Sequence, residues 1–171
     1  NNAQVEANEA NNLGSRSIAL SVPPLPDLVP TDVAVNVSLP SVVLPGQPVE
    51  ITWTVTNAGV ATATGGWTEA VYAAEVVTNS TAVLLGRFHF TNDLAIGDAL
   101  TRTQTVVLPP TALAGEIWFG VLVDSEARVV ESNETNNAAW SDATTLVPPA
   151  LTVTLPVSSV AENTGNPALT A

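Results

Sequence analysis

The stretch P-V-E-I-T-W-T-V-T-N-A-G, residues 48–59, decides the fold class. Val49, Ile51, Trp53 and Val55 fall on one side of an extended chain, and Glu50, Thr52, Thr54 and Thr56 on the other. Side chains of a β-strand alternate between faces, so this pattern predicts a half-buried strand with Trp53 in the core. Asn57-Ala58-Gly59 then ends it, because Asn bonds its own backbone and Gly tolerates turn conformations.

The same period of two recurs on both sides of that stretch. Trp67 to Val77 and Val83 to Phe90 read as hairpin arms across Thr78-Asn79-Ser80-Thr81. Thr101 to Leu108 alternates again, with Thr101, Thr103 and Thr105 on one face, until Pro109-Pro110 stop it. Gly115 to Val123 is the most continuously apolar segment and is expected to be a central strand; Arg128 to Glu131 and Ala139 to Val147 complete the set. No proline lies between 48 and 109. Because proline lacks an amide donor, the clusters at 23–26, 40–48, 109–110 and 148–149 read as borders, edges and turns. No ten-residue stretch carries a helical stripe flanked by caps. The pattern predicts an all-β protein, an antiparallel Ig-like β-sandwich of about seven strands.

A long-period repeat frames this sandwich. V-E-A-N-E-A-N-N at Val5–Asn12 returns as V-E-S-N-E-T-N-N at Val130–Asn137, and both run without a gap to V-P-P, at offset 125. One repeat unit is therefore as long as a domain. The expected organisation is the closing segment of a preceding repeat plus linker at 1–24, a complete sandwich at 25–149, and the first strands of a following β-module at 150–171. The sandwich is thus flanked by partial neighbouring modules, and the neighbouring repeats of the same chain are its expected partners. With no methionine, the chain is expected to be an excerpt of a tandem array or a processed product.

Composition narrows the function. Apolar residues make up 46% of the 171, enough for a real core, while sixteen acids face four arginines for a net charge of −12. Nucleic acid is excluded as a partner because phosphate binding needs clustered Lys and Arg. An anionic membrane surface would repel the chain for the same reason. Direct membrane insertion is not expected, since the longest apolar stretch, Ile117 to Val123, is too short to span a bilayer. Zero cysteine removes disulfides, thiolate catalysis and nearly every structural zinc site.

Several words of the sequence resemble a known family. P-D-L-V-P-T-D-V at Pro26–Val33, P-G-Q-P-V-E-I-T-W-T-V-T-N-A-G at Pro45–Gly59, G-W-T-E-A-V-Y at Gly66–Tyr72 and V-D-S-E-A-R-V-V-E-S-N-E-T-N-N at Val123–Asn137 are similar to a bacterial CARDB domain (cell-adhesion-related domain found in bacteria). The resemblance covers about residues 26–147. It implies an Ig-like sandwich repeated in large bacterial or archaeal surface or secreted proteins, with an adhesive or architectural role, no established catalysis and an extracellular or cell-surface location. Residues 150–171 resemble the start of a Calx-β-like module, a family with calcium-binding members, of whose ligands Glu162 alone would carry over.

The densest polar group is Asp124, Glu126, Glu131 and Glu134, with Asn133, Asn136 and Asn137. Such oxygens, gathered by two turns, would suit Ca²⁺, a hard cation that takes roughly six to eight of them. These four acids are the candidate metal ligands, and Ca²⁺ is the one cofactor to consider. The spacing departs from an EF-hand loop, because Arg128 stands where a ligand belongs and no central glycine follows. The other reading is that Asp, Asn and Ser bond nearby backbone and fix the turns before the last strand. Recurrence of Glu6, Asn8, Glu9, Asn11 and Asn12 in the first copy agrees with both.

His89, the single histidine, alternates with Phe88 and Phe90 and should face solvent; no G-x-S-x-G elbow accompanies it, so catalytic residues are expected to be none. Of Trp118 and Phe119 one should point inward and one outward. Trp140, in the closing strand, is the candidate binding or junction residue, packing on a neighbouring domain or stacking on a sugar. Asn36, Asn79 and Asn133 begin N-x-S/T triplets.

Three functions from different classes follow. The leading one is a non-catalytic structural or adhesive module of a large repetitive bacterial surface or secreted protein, with an extracellular filament built by homopolymeric β-strand pairing as one form of it. The alternatives are a glycan- or protein-binding module and an accessory domain of a large exported hydrolase.

Overall fold

The structure, a computed structural model, describes residues 5, 7–8, 13–36, 42–77, 81–110, 113–141, 145–147 and 153. Its strands are β1 (Leu28–Val35), β2 (Pro48–Asn57), β3 (Trp67–Ala74), β4 (Val83–Phe90), β5 (Ala99–Val107), β6 (Gly115–Leu122), β7 (Ala138–Trp140) and β8 (Thr145–Val147). They form two antiparallel sheets. One has the order β1-β2-β5; the other has the order β4-β3-β6-β7, with β8 also on β6. β7 pairs with Gly120–Leu122 and β8 with Gly115–Ile117, so the two are successive pieces of one last strand. The sequence expected that strand whole, at Ala139–Val147.

The alternation in β2 does what its apolar residues require. Val49, Ile51, Trp53 and Val55 are buried, with Trp53 wholly so. They join Val71 and Ala73 of β3 and Ile117, Phe119 and Val121 of β6 in one apolar cluster between the sheets. Phe119 points in and Trp118 is half-buried outside, while His89 is exposed. The other side of the first sheet is polar, and Thr52 and Thr54 meet Thr103 and Thr101 across the β2–β5 ladder at 3.1 and 3.4 Å.

β1 breaks the simple period. Leu28 and Pro30 face the core, and then the register with β2 slips between Thr31 and Ala34, where Asp32 takes φ 52°. This bulge restores the inward face at Val33. Proline is tolerated at position 30 because β1 is an edge strand, with β2 as its one neighbour in the sheet.

One expected strand is absent. Arg128–Glu131 keeps alternating burial, with Val129 and Glu131 inside and Arg128 and Val130 outside, yet joins no ladder. Its amides go elsewhere. Arg128 and Val129 N–H donate to the Asp124 carboxylate, Glu131 N–H to Glu134 Oε1, and Ser132 N–H to Pro26 O. Side chains have taken the donors that a ladder would need.

Strand register also sets where the chain enters and leaves. Leu28 at the start of β1 lies against Asn57 and the loop that follows β6, whereas Val147 at the end of β8 pairs with Gly115 at the start of β6. The two ends therefore stand at opposite poles, separated by the length of β6, roughly 25 Å for eight extended residues.

Candidate functional site

The polar residues singled out from the sequence gather at the pole where the chain enters. Residues 123–137 form a loop between β6 and β7, opened by Asp124 at φ 45°, a left-handed conformation that Asp adopts more readily than most residues. Val123 N–H donates to Asn137 O at 2.8 Å, closing the loop's base, and the Ser125 hydroxyl donates to Thr68 O at 3.0 Å.

Each acid of the loop has a partner. Asp124 Oδ1 accepts from Arg128 N–H at 3.0 Å and Oδ2 from Val129 N–H at 2.8 Å. Glu126 pairs with Arg128 at 2.8 Å in the open. Glu134 Oε1 accepts from Glu131 N–H at 2.9 Å. Asn133 Oδ1 accepts from the Thr135 amide and hydroxyl at 3.1 and 2.7 Å, a local turn built by one side chain.

Glu131 is the buried member, 5% exposed. Its Oε2 accepts from Leu28 N–H, and its Oε1 from Asn137 Nδ2 at 2.6 Å. Burial pushes its carboxyl up to about 7, helped by the negative charge of Glu134 and Asp124 and opposed by the Leu28 and Asn137 donors. Beside it, Asn136 Nδ2 donates to Asp27 Oδ1 at 2.9 Å.

The leading segment Leu25–Leu28 is held from its other side by the turn after β2. Ala58 N–H donates to Asp27 O at 2.7 Å, Val60 N–H to Leu25 O at 3.0 Å, and Asp27 N–H to Asn57 Oδ1 at 3.2 Å. Asn57 is wholly buried and also donates to Ala61 O and Leu94 O. A Cβ at position 59 would lie 2.4 Å from Pro26 C, so glycine is required for this approach. The words N-A-G and E-S-N-E-T-N-N thus form the two jaws of one clip.

The CARDB family model matches residues 25–141. The chain belongs to the CARDB family. Among solved structures, the CARDB domain of a Pyrococcus furiosus protein, in complex with di-metal ions, superposes with a TM-score of 0.50 at 23% identity, covering 72% of this chain and 89% of that one. A solution NMR structure of a CARDB domain from the same organism gives 0.48 at 25% identity over 72% and 96%. A domain described as part of a cell-surface protein of Methanosarcina acetivorans gives 0.49 at 22% over 72% and 92%. These likenesses are of fold. No curated protein matches the chain.

The residues of this CARDB domain do not fit a metal ion at the closing loop. Asp124, Glu131 and Glu134 spend oxygens on backbone amides, Glu126 points to Arg128, and among the described residues no three acidic or imidazole side chains converge as a cation needs. Glu162 lies outside the described residues. Trp140 is away from the clip, half-buried on the outer face of the second sheet.

Sequence reasoning missed a second polar constellation inside the sandwich. Glu69 of β3 is wholly buried and meets Arg102 of β5 at 2.8 Å, with the Trp67 indole N–H 3.2 Å from its other oxygen. The Arg102 guanidinium lies 5.1 Å from the centroid of Phe90. The signal was available: once Thr101, Thr103 and Thr105 face outward, Arg102 must face inward.

Proposed function

We propose that this CARDB domain is a non-catalytic structural bead of an extended cell-surface or secreted array. The observation that carries the reading is the position of its two ends at opposite poles of the sandwich. A domain threaded end to end transmits the chain direction to the next one, whereas adjacent ends would fold the array back. The clip at Asp27-Leu28 supports the same role, because it locks the leading segment to the loop before the last strand and so fixes the entry end to the sandwich. Val22-Pro23-Pro24 just before it is exposed, and its fixed φ angles make a semi-rigid spacer.

The bead offers few edges to another chain. β1 and the β3–β4 ladder are bulged, and the last strand is split, all devices that hinder edge pairing. β5 runs nine residues in unbroken register with β2, so lateral assembly, where it occurs, proceeds through its free side. The acids of the closing loop serve the clip and not a cation.

Electron microscopy of the native array tests this reading. The expected image is a string whose axial repeat is on the order of 30–40 Å per sandwich, set by strand length. Modules collapsed side by side without an axial repeat would contradict it.

A further inference from the structure

The two outer faces of the sandwich are unlike. The first sheet presents Glu50, Thr52, Thr54, Thr101, Thr103 and Thr105. On the second, directly opposed residues share a face, and the register lines up Leu84, Tyr72, Gly120 and Trp140 in one row across four strands. Arg87, Ala70, Leu122 and Ala138 make the next row, with Arg87 exposed at its β4 end, and Ala74 and Trp118 make the row on the far side. An outer sheet face is ordinarily polar, so a face this apolar needs a reason.

The aromatic residues are partitioned between core and face. Trp53, Trp67, Phe90 and Phe119 are in the core, and Phe88 packs against it. The remaining three, Tyr72, Trp118 and Trp140, are all half-exposed on this face. Each joins a flat apolar ring to an O–H or N–H edge that stays wet. Gly120 forms the floor: a Cβ there would come 2.7 Å from the six-membered ring of Trp140, so the indole rests directly on the backbone. A slot of about 110 Å³ results, with Tyr72 and Trp140 among its walls.

Size and chemistry choose the occupant. Three strand spacings by two side-chain repeats give roughly 200 Å². A stable protein interface buries about 800 Å² on each partner, so a second globular domain would be poorly held here. The slot is open, its walls carry no charged side chain, and the chain's net charge of −12 repels anions. No carboxylate in the walls pairs a cation and Arg87 stands in the adjacent row, so the slot suits an uncharged ligand that offers a flat C–H surface and keeps its polar groups in water. A pyranose ring does this. We propose that the outer face of the second sheet binds neutral glycans, with the C–H face of one sugar lying between Tyr72 and Trp140 above Gly120.

Affinity electrophoresis of the 171-residue chain through gels containing hydroxyethylcellulose, xylan, laminarin or mannan tests the proposal, with sedimentation velocity in parallel. The expected result is retardation by at least one of the four. Trp140→Ala and Tyr72→Ala each weaken it tenfold or more, Gly120→Val fills the slot and does the same, and Thr54→Ala on the opposite face leaves it unchanged. Thermal melts of each variant separate loss of binding from loss of fold. Passage through all four gels without retardation would overturn the proposal. So would retardation that survives Trp140→Ala and Tyr72→Ala. Self-association abolished by these variants, with no glycan retardation, would assign the face to protein contact instead.

Discussion

Glu69 and Glu131 are two carboxylates removed from water, 0% and 5% exposed, and they are held in different ways. Glu69 lies between the sheets with a guanidinium against it and an indole N–H on its other oxygen. Glu131 lies at the pole, where amides alone hold it and two further acids stand nearby. A carboxylate with a cation beside it is retained inside as an ion pair. One with amides and like charges holds its proton toward neutrality. The comparison teaches that the sandwich interior is fixed by a charge pair, while the clip that holds the leading segment to the closing loop is tuned by pH.

The sharpest way to break the comparison is to remove the cation. Arg102→Met leaves Glu69 buried and unpaired, and urea unfolding should show a loss of about 3–5 kcal/mol. The double variant with Glu69→Met should recover most of it, because an apolar pair of similar volume often matches a buried ion pair.

The pole answers to pH. Glu131 has a folded-state value near 7 against an unfolded 4.5, so the folded chain binds the extra proton. Its contribution is full below 4.5, falls as pH rises through the window from 4.5 to 7, and is flat above. By linkage the fall approaches about 3 kcal/mol, since each unit corresponds to about 1.4 kcal/mol. Glu131→Gln should remove this slope, leaving the variant more stable than the native chain at pH 8. Chemical denaturation from pH 4 to 8 measures both.

Smaller effects sharpen the contrast between buried and open acids. Asp124→Asn keeps the left-handed turn but replaces one of two acceptors facing the Arg128 and Val129 amides, and should cost about 1–2 kcal/mol. Arg128→Met removes its ion pair with Glu126, both partners being well exposed, and should change stability by no more than about 0.5 kcal/mol. Equal costs for these two variants would erase the distinction.

Much of the fold was legible in the sequence. The alternation in Val49–Thr56 placed Trp53, and Phe88–Phe90 placed His89, because a half-buried strand imposes its period on composition. The β1 bulge was not legible, since Pro30 and Asp32 mark an edge without saying where the register slips. Arg128–Glu131 misled because burial alternates there as in a strand. What decides a strand is where its amides bond, and Asp124, Glu134 and Pro26 take them. For the acids of the closing loop, sequence favoured the turn over the ion while leaving both open. The bond of Glu131 to Leu28, that of Asn136 to Asp27 and those to the loop's own amides appear when distant segments are brought together by the fold.

The central claim is that this acidic loop closes on its own amides and needs no cation. The carboxyl carbon of Glu131, followed by NMR from pH 4 to 9 in excess Ca²⁺ and again in chelator, tests it most directly. The expected result is a midpoint near 7 in both solutions. A midpoint in the ordinary carboxylate range, or one that drops by a unit or more when Ca²⁺ is present, would contradict it.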